Sequence, residues 1–376
     1  MEYTYIDTPS TLDAAVARLR DRRVLAVDTE AAGYHRYLDR LSLLQISGPE
    51  TNYLIDPFAL ADLEPVTALL ADPEVEIVFH DADYDLRILD RDLDARVRGL
   101  WDTQLAAAFL GVRSLGLGNV VAEYLDVHLA KEFQRADWAE RPLPEGMLEY
   151  AATDTAYLIP LRDRLEEELR ERGRLAWAQE EFRLREDTRW SVDEDRLEAF
   201  LRIKGARDLP PRGLAILREL VAWRESVAEE RDVASFRVVG NEALLALSAQ
   251  PPRTVDALRS LRGFSPKLAD RRGGDVLAAI SRGLAVPEQD LPRFPRHPRP
   301  ERDLELESRI EALRRARSKR AGELDLDPGF LMPRSLLAEV ARAEPRTLEE
   351  LGAVEGVRAW QTEALGDALL AALHAN

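Results

Sequence analysis

Hydrophobic and polar positions along the chain fall into two regimes. Up to about residue 190, short apolar runs alternate with stretches of 3.6-residue periodicity; beyond about 200 only the helical period persists. The runs TYIDTP, VLAVDTE, LSLLQIS, NYLIDP and VEIVFH predict β-strands, and helical patterns fall at about 10–22, 60–71, 82–92, 102–111 and 145–172. LSLLQIS and NYLIDP lie close enough for a meander, whereas the later helices demand crossovers. A mixed sheet with helices on its faces is the economical arrangement. Pro160, inside the last helical pattern, predicts a kink.

The second regime contains a repeat. PPRTVDALRSLRGF (251–264) matches EPRTLEELGAVEGV (344–357) at an offset of 93 residues, and VLAAI (276–280) matches LLAAL (369–373) at the same offset. Two copies of a small helical domain explain this better than one large one. Between them PEQDLPRFPRHPRP (287–300) is proline-dense and aperiodic, as an extended linker would be. The expected division is an α/β unit over 1–190, all-α units over 205–286 and 301–376, and a linker over 287–300.

Composition narrows the function classes. The chain has 376 residues, 45% of them hydrophobic, which is ordinary for globular protein. It has no cysteine, which excludes disulfide scaffolds and thiolate metal sites and favours a reducing compartment. MEYTYIDTPS lacks the charged-then-apolar order of a secretory signal, and no apolar run approaches membrane-spanning length, so a cytoplasmic protein without membrane association is expected. The net charge of −17 is uneven: residues 1–190 carry 22 basic and 38 acidic side chains, the remainder 30 and 31. Within the second half, 202–286 holds 15 basic against 10 acidic residues and 301–376 holds 11 against 15. The first copy is therefore the plausible anion-binding surface.

The chemistry is concentrated in acids. VLAVDTE ends a buried strand in Asp28 and Glu30, which face the same side of extended chain. At roughly 6 Å and an effective dielectric near 20 their repulsion is about 2–3 kcal/mol, enough to raise one pKa by roughly two units unless a cation intervenes. The alternative is that Asp28-Thr29 merely caps a helix. Further oxygen ligands are on offer in VFHDADYDLRIL, where Asp81 and Asp83 can cap a helix and Asp85 lies one turn in. The D-x-D-x-D spacing hints at a calcium loop, but Leu86 stands where such a loop needs glycine. In EYAATDTAYL, Tyr150 and Asp154 share a helix face one turn apart. Taken together, a strand with two acids and two helices with one each could hold two divalent cations about 3.5–4 Å apart, as in-line phosphoryl hydrolysis requires. No G-x-S-x-G, H-E-x-x-H or G-x4-G-K-[ST] occurs, so serine hydrolase, zincin and P-loop readings lack their anchors. Gly116-Leu117-Gly118 follows no strand and fits a helix start rather than a dinucleotide fingerprint.

In their order, D-T-E on the second strand, H-x4-D at a helix start and Y-x3-D on a later helix resemble the three motifs of the DEDDy 3′–5′ exonucleases. LSLLQIS, WDTQLAAAFLG and KEFQRADWAERPL are similar to the ribonuclease D branch of that family, and the helical repeats resemble its HRDC domains. The resemblance implies an α/β ribonuclease-H-like exonuclease domain followed by two all-α HRDC-like domains. It implies that Asp28, Glu30, Asp85 and Asp154 bind two divalent cations, Mg²⁺ or Mn²⁺, with Asp28 bridging them. Glu30 and Asp154 would serve the attacking water, Asp85 the second cation, and Tyr150 would orient or deprotonate the water. The implied activity is 3′–5′ exoribonuclease, releasing nucleoside 5′-monophosphates from RNA with a free 3′ end, such as a transfer-RNA precursor. The rivals are a DNA exonuclease of the same chemistry and a non-catalytic RNA-binding scaffold. HRDC domains also accompany RecQ-type helicases, but helicase motifs are missing here.

Around this constellation Gln45 and His80 are candidate contacts to the terminal nucleotide, and Lys131, Gln134 and Arg141 to the phosphate backbone. Trp138, Pro142 and Leu143 are expected to anchor their loop. In the first helical copy Arg253, Arg259, Arg262, Lys267, Arg271 and Arg272 form an accessory RNA-binding set. The acidic second copy is expected to pack on a neighbour, and removal of 287–376 to leave the chemistry on short substrates intact.

Overall fold

The computed structural model describes residues 2–130, 132–191, 194–295 and 303–374; Lys131 and the linker residues 296–300 lie outside them. Six strands, β1 (Thr4–Ile6), β2 (Val24–Ala31), β3 (Leu41–Gly48), β4 (Thr51–Ile55), β5 (Glu76–Phe79) and β6 (Leu100–Asp102), form one sheet in the order β1-β4-β3-β2-β5-β6. β2, β3 and β4 pair antiparallel and the remaining pairs are parallel, so the sheet is mixed. The alternation of β2 decides its surroundings. Leu25 and Val27 point into a core with α1 (Pro9–Leu19), α2 (Glu64–Leu70) and α3 (Asp83–Leu93), whereas Ala26 points to the opposite face. That opposite face is covered by α4 (Thr103–Phe109), α5 (Leu117–Leu125), α6 (Glu145–Ala156) and α7 (Leu158–Glu171). A last helix, α8 (Leu175–Arg185), completes the α/β unit.

The expected single helix over 145–172 is two helices. Tyr157 separates α6 from α7, and Pro160 sits in the first turn of α7, where its missing N–H leaves no bond unmade. The expected caps of α3 are also corrected. Asp83 pairs with Arg87 and Arg185, and Ala82 occupies the cap position. The capping carboxylate comes from β6 instead: buried Asp102 accepts from Asp81 N and Ala82 N (3.1 and 3.0 Å) and from Gln104 N and Leu105 N at the start of α4.

The helical units repeat throughout. α9 (Pro211–Glu230), α10 (Ser235–Val238), α11 (Asn241–Ala249), α12 (Val255–Arg259) and α13 (Pro266–Ala285) recur 93 residues on as α14 (Leu304–Leu324), α15 (Pro328–Leu331), α16 (Arg334–Ala343), α17 (Leu348–Gly352) and α18 (Ala359–His374). Even the caps match, Thr254 accepting from Ala257 N and Thr347 from Glu350 N.

The copies attach differently. The second shares a core with the α/β unit: Phe109 of α4 meets Phe330 and Trp360 edge-on at 4.8 and 4.9 Å, and Trp177 of α8 lies 5.9 Å from Trp360. Glu180 accepts from Ala359 N and Trp360 N, and Glu181 from the indole Nε1 of Trp360. Gly111, at φ +87°, lies so close to the Asp325 carbonyl that a Cβ there would collide with it. The first copy keeps its own core and reaches the α/β unit at the loop after β2: Arg36 pairs with Asp232, Tyr37 N donates to Asp232, and Ala234 N donates to His35 O. Removal of 287–376 would strip the cover from Phe109 and Trp177. Among the described residues no helix is long and apolar enough to cross a membrane.

Candidate active site

The site forms where β2 outruns its neighbour. β2 pairs with β5 only as far as Ala26, leaving residues 27–31 unpaired on that side. Asp28 and Glu30, two apart on the α6 face, therefore stand at an open end of the sheet. Asp154 comes down from α6, and one carboxylate oxygen from each of the three lies within 4.8 Å of the others. Asp85 approaches from the other side of the sheet. It is buried in the first turn of α3, and its Oδ1 accepts a 2.5 Å hydrogen bond from Thr29, the residue between the two strand acids. The reading of Asp28-Thr29 as a helix cap is thus replaced: both lie within a strand.

The electrostatics follow from that crowding. Burial, then the charge of Asp154, pushes Asp28 up to about 8. Burial raises Asp154 to about 7 against the stabilising bond from the Tyr150 phenol. Glu30 is raised by burial and by Asp28, Asp154 and Asp85; Asp85 is raised by burial and by Asp28, with Thr29 opposing. Hard, converging oxygen donors that carry this mutual repulsion are the donor set a divalent cation needs.

Tyr150, one turn before Asp154, is held by the rings of Phe133 (5.9 Å) and Trp138 (6.2 Å). Trp138 is buried with Leu143, which fixes the preceding loop. A cavity of about 230 Å³ opens over Asp28, Tyr150 and Asp154 and is walled by His80, Gln134, Gly116 and Asn119. Gly116 and Asn119 were missed as site residues; a helix opening on glycine with no strand before it is the trace they leave in the sequence.

The other candidates separate. Gln134 lies on the cavity wall. His80 does too, but its ring nitrogens are engaged by Thr103 Oγ1 and Leu115 O, both at 2.8 Å, which staples the loop before α5 to the end of β5. Gln45 is corrected: it faces Asp28 across the β2–β3 ladder but is wholly buried, with neither amide atom partnered, and has no surface to offer a nucleotide. Arg141 is also corrected. Its five donors are all taken, by both Asp56 oxygens (2.7 and 2.8 Å), Ser42 O, Trp138 O and Glu140 O, leaving none for phosphate. In the accessory set, Arg259 is neutralised by Asp256 and Asp270 and Arg272 by Glu230 and Asp275. Arg253, Arg262, Lys267 and Arg271 remain exposed.

Three converging carboxylates with a fourth tied to the same strand through Thr29 and a flanking tyrosine, on a mixed sheet followed by two repeated helical units, define a 3′–5′ exonuclease with HRDC domains. Family comparison agrees: the 3′–5′ exonuclease family matches residues 3–170, and the HRDC domain matches 213–280 and again 307–373. Ribonuclease D of Pseudomonas paraeruginosa is 31% identical over 379 residues, covering 99% of this chain and 98% of its own length. Escherichia coli RNase D, described as an exoribonuclease involved in structured RNA processing, superposes with a TM-score of 0.72 at 29% identity, covering 100% of this chain and 99% of that one. A protein from Bifidobacterium adolescentis superposes with a TM-score of 0.81 at 26% identity, covering 98% and 96%. The chain belongs to the ribonuclease D family and is a 3′–5′ exoribonuclease.

Proposed function

We propose that the chain trims the 3′ ends of RNA, transfer-RNA precursors among them, releasing nucleoside 5′-monophosphates in the cytoplasm. The observation that carries this is the convergence of Asp28, Glu30 and Asp154 within 4.8 Å, with Asp85 tied to the same strand by Thr29. These four side chains would hold two divalent cations, Mg²⁺ or Mn²⁺; bound there, the cations would lower the pKa of the attacking water and neutralise charge on the phosphate. In this reading Asp28, central on the strand, would serve both cations, with Glu30 and Asp154 on the side of the water and Asp85 on the side of the leaving group.

Tyr150 takes a narrower role than the sequence allows. Its phenol is raised above its ordinary value by burial and by the carboxylates around it, so at neutral pH it keeps its proton. In this reading it orients the water as a hydrogen-bonding group. Gln134 and the edge of His80 shape the cavity that receives the terminal nucleotide.

The test is digestion of one RNA, labelled at the 5′ or the 3′ end, with magnesium, manganese or chelator, beside DNA of the same sequence. Stepwise shortening from the 3′ end, release of mononucleotides and loss of both in chelator are expected, with RNA preferred. Failure to release mononucleotides with either metal would overturn the reading, and equal or better digestion of DNA would move it to the DNA rival.

A further inference from the structure

At the seam between the α/β unit and the first helical copy, two aromatic rings remain about half exposed although they touch. Tyr34, 45% exposed, lies 5.2 Å from the ring of Phe236, 50% exposed. Two guanidinium groups lie over the faces of Tyr34, Arg237 at 5.3 Å and Arg135 at 5.8 Å. The assembly is held in place by backbone acceptors: Arg237 Nε donates to Tyr34 O at 3.0 Å, and His35 Nε2 is 2.8 Å from Arg135 O.

The joint does not require this exposure. The polar contacts of Asp232 and Ala234 already fasten the first copy, and Arg36 there is neutralised by Asp137 and Asp232. Arg135 and Arg237, by contrast, form no salt bridge among the described residues, although residues 1–190 carry a net charge near −16. Aromatic faces flanked by uncompensated arginines are what single-stranded nucleic acid needs: bases stack on the rings and phosphates meet the cations. The place fits as well. Gln134 lines the catalytic cavity and Arg135 is its neighbour in the chain, so the seam lies next to the site and not on a remote surface.

We propose that Tyr34, Phe236, Arg135 and Arg237 form a stacking platform for the single-stranded RNA lying 5′ of the nucleotide being removed. This rests on the exoribonuclease reading and adds to it a role for the first helical copy: it lends one ring and one cation to the path of the substrate.

The experiment compares a three-nucleotide and a twelve-nucleotide single-stranded RNA. Phe236→Ala and Arg135→Ala are expected to raise KM for the twelve-mer roughly tenfold, leaving kcat/KM for the three-mer within about twofold. Arg135→Ala should also reduce the salt slope of RNA binding by about one. Tyr34→Phe, which keeps the ring, should behave as the unmodified chain. 2-Aminopurine placed upstream of the terminal nucleotide should be quenched on the unmodified chain and brighten with Phe236→Ala. Equal loss on both RNAs would overturn the inference and mark the rings as a joint between domains; so would no loss on either. If the unmodified chain hydrolyses neither RNA, the nuclease reading itself falls. Hydrolysis of both with no separation by length removes the platform alone.

Discussion

At an offset of 93 residues, Arg237 and Lys267 of the first helical copy stand where the second has Phe330 and Trp360. The turn before α10 and α15 is alike in both, down to a left-handed aspartate, Asp232 at φ 45° and Asp325 at φ 52°. Each copy therefore presents the same end of its fold to the α/β unit. The second inserts two aromatic side chains into a shared core, whereas the first keeps its own core, takes Tyr37 of a loop against it, and adds ion pairs and backbone bonds. Phe330 and Trp360, met by Phe109 and Trp177, go with the fused attachment, and Arg237 and Lys267 with the tethered one.

The largest test of this difference is Trp360→Ala. It should destabilise the α/β unit together with the second copy by about 3–5 kcal/mol in thermal or chemical denaturation, whereas Lys267→Ala should stay within about 0.5 kcal/mol. A common loss in both variants would erase the distinction.

The second test uses proton linkage. In metal-free protein Asp28 and Asp154 titrate near about 8 and 7, well above their values in the unfolded chain. Between those limits the folded chain binds more protons, so this contribution is fully present below about pH 4 and is lost as the pH rises toward 8. In chelator, the melting temperature of the fused unit should fall from pH 5 to 8, magnesium should reverse the fall, and the first copy's transition should not follow either. A flat profile in chelator would remove the assigned shifts.

The smallest effect belongs to the seam. Asp232→Ala should change global stability by well under 1 kcal/mol, because Asp232 and Arg36 are both solvent-accessible, yet hydrogen exchange at 234–238 should quicken. Unchanged exchange there would mean that the first copy is held by something other than these contacts.

What the sequence disclosed depended on the range of the interaction. Asp28 with Glu30 and Tyr150 with Asp154 were legible because strand and helix periods place each pair on one face. The break at Tyr157 was not, since Pro160 is as compatible with a fresh helix start as with a kink. Arg141 shows the harder limit: an arginine near a nuclease site looks the same whether its partner is a phosphate or Asp56, which lies 85 positions away. Gln45 escaped for a related reason, as register assigns it to the Asp28 face but cannot report that α6 seals it from solvent. The different fates of the two copies rest on Phe109 and Trp177, far from either repeat.

The shared core of α4, α8 and α18 has a topological consequence. The tethered copy lies, in chain order, between two pieces that pack as one body, and so it is an insertion. A minimal catalytic body should therefore be sought by excising roughly 205–295 and rejoining the ends, not by trimming the C-terminus.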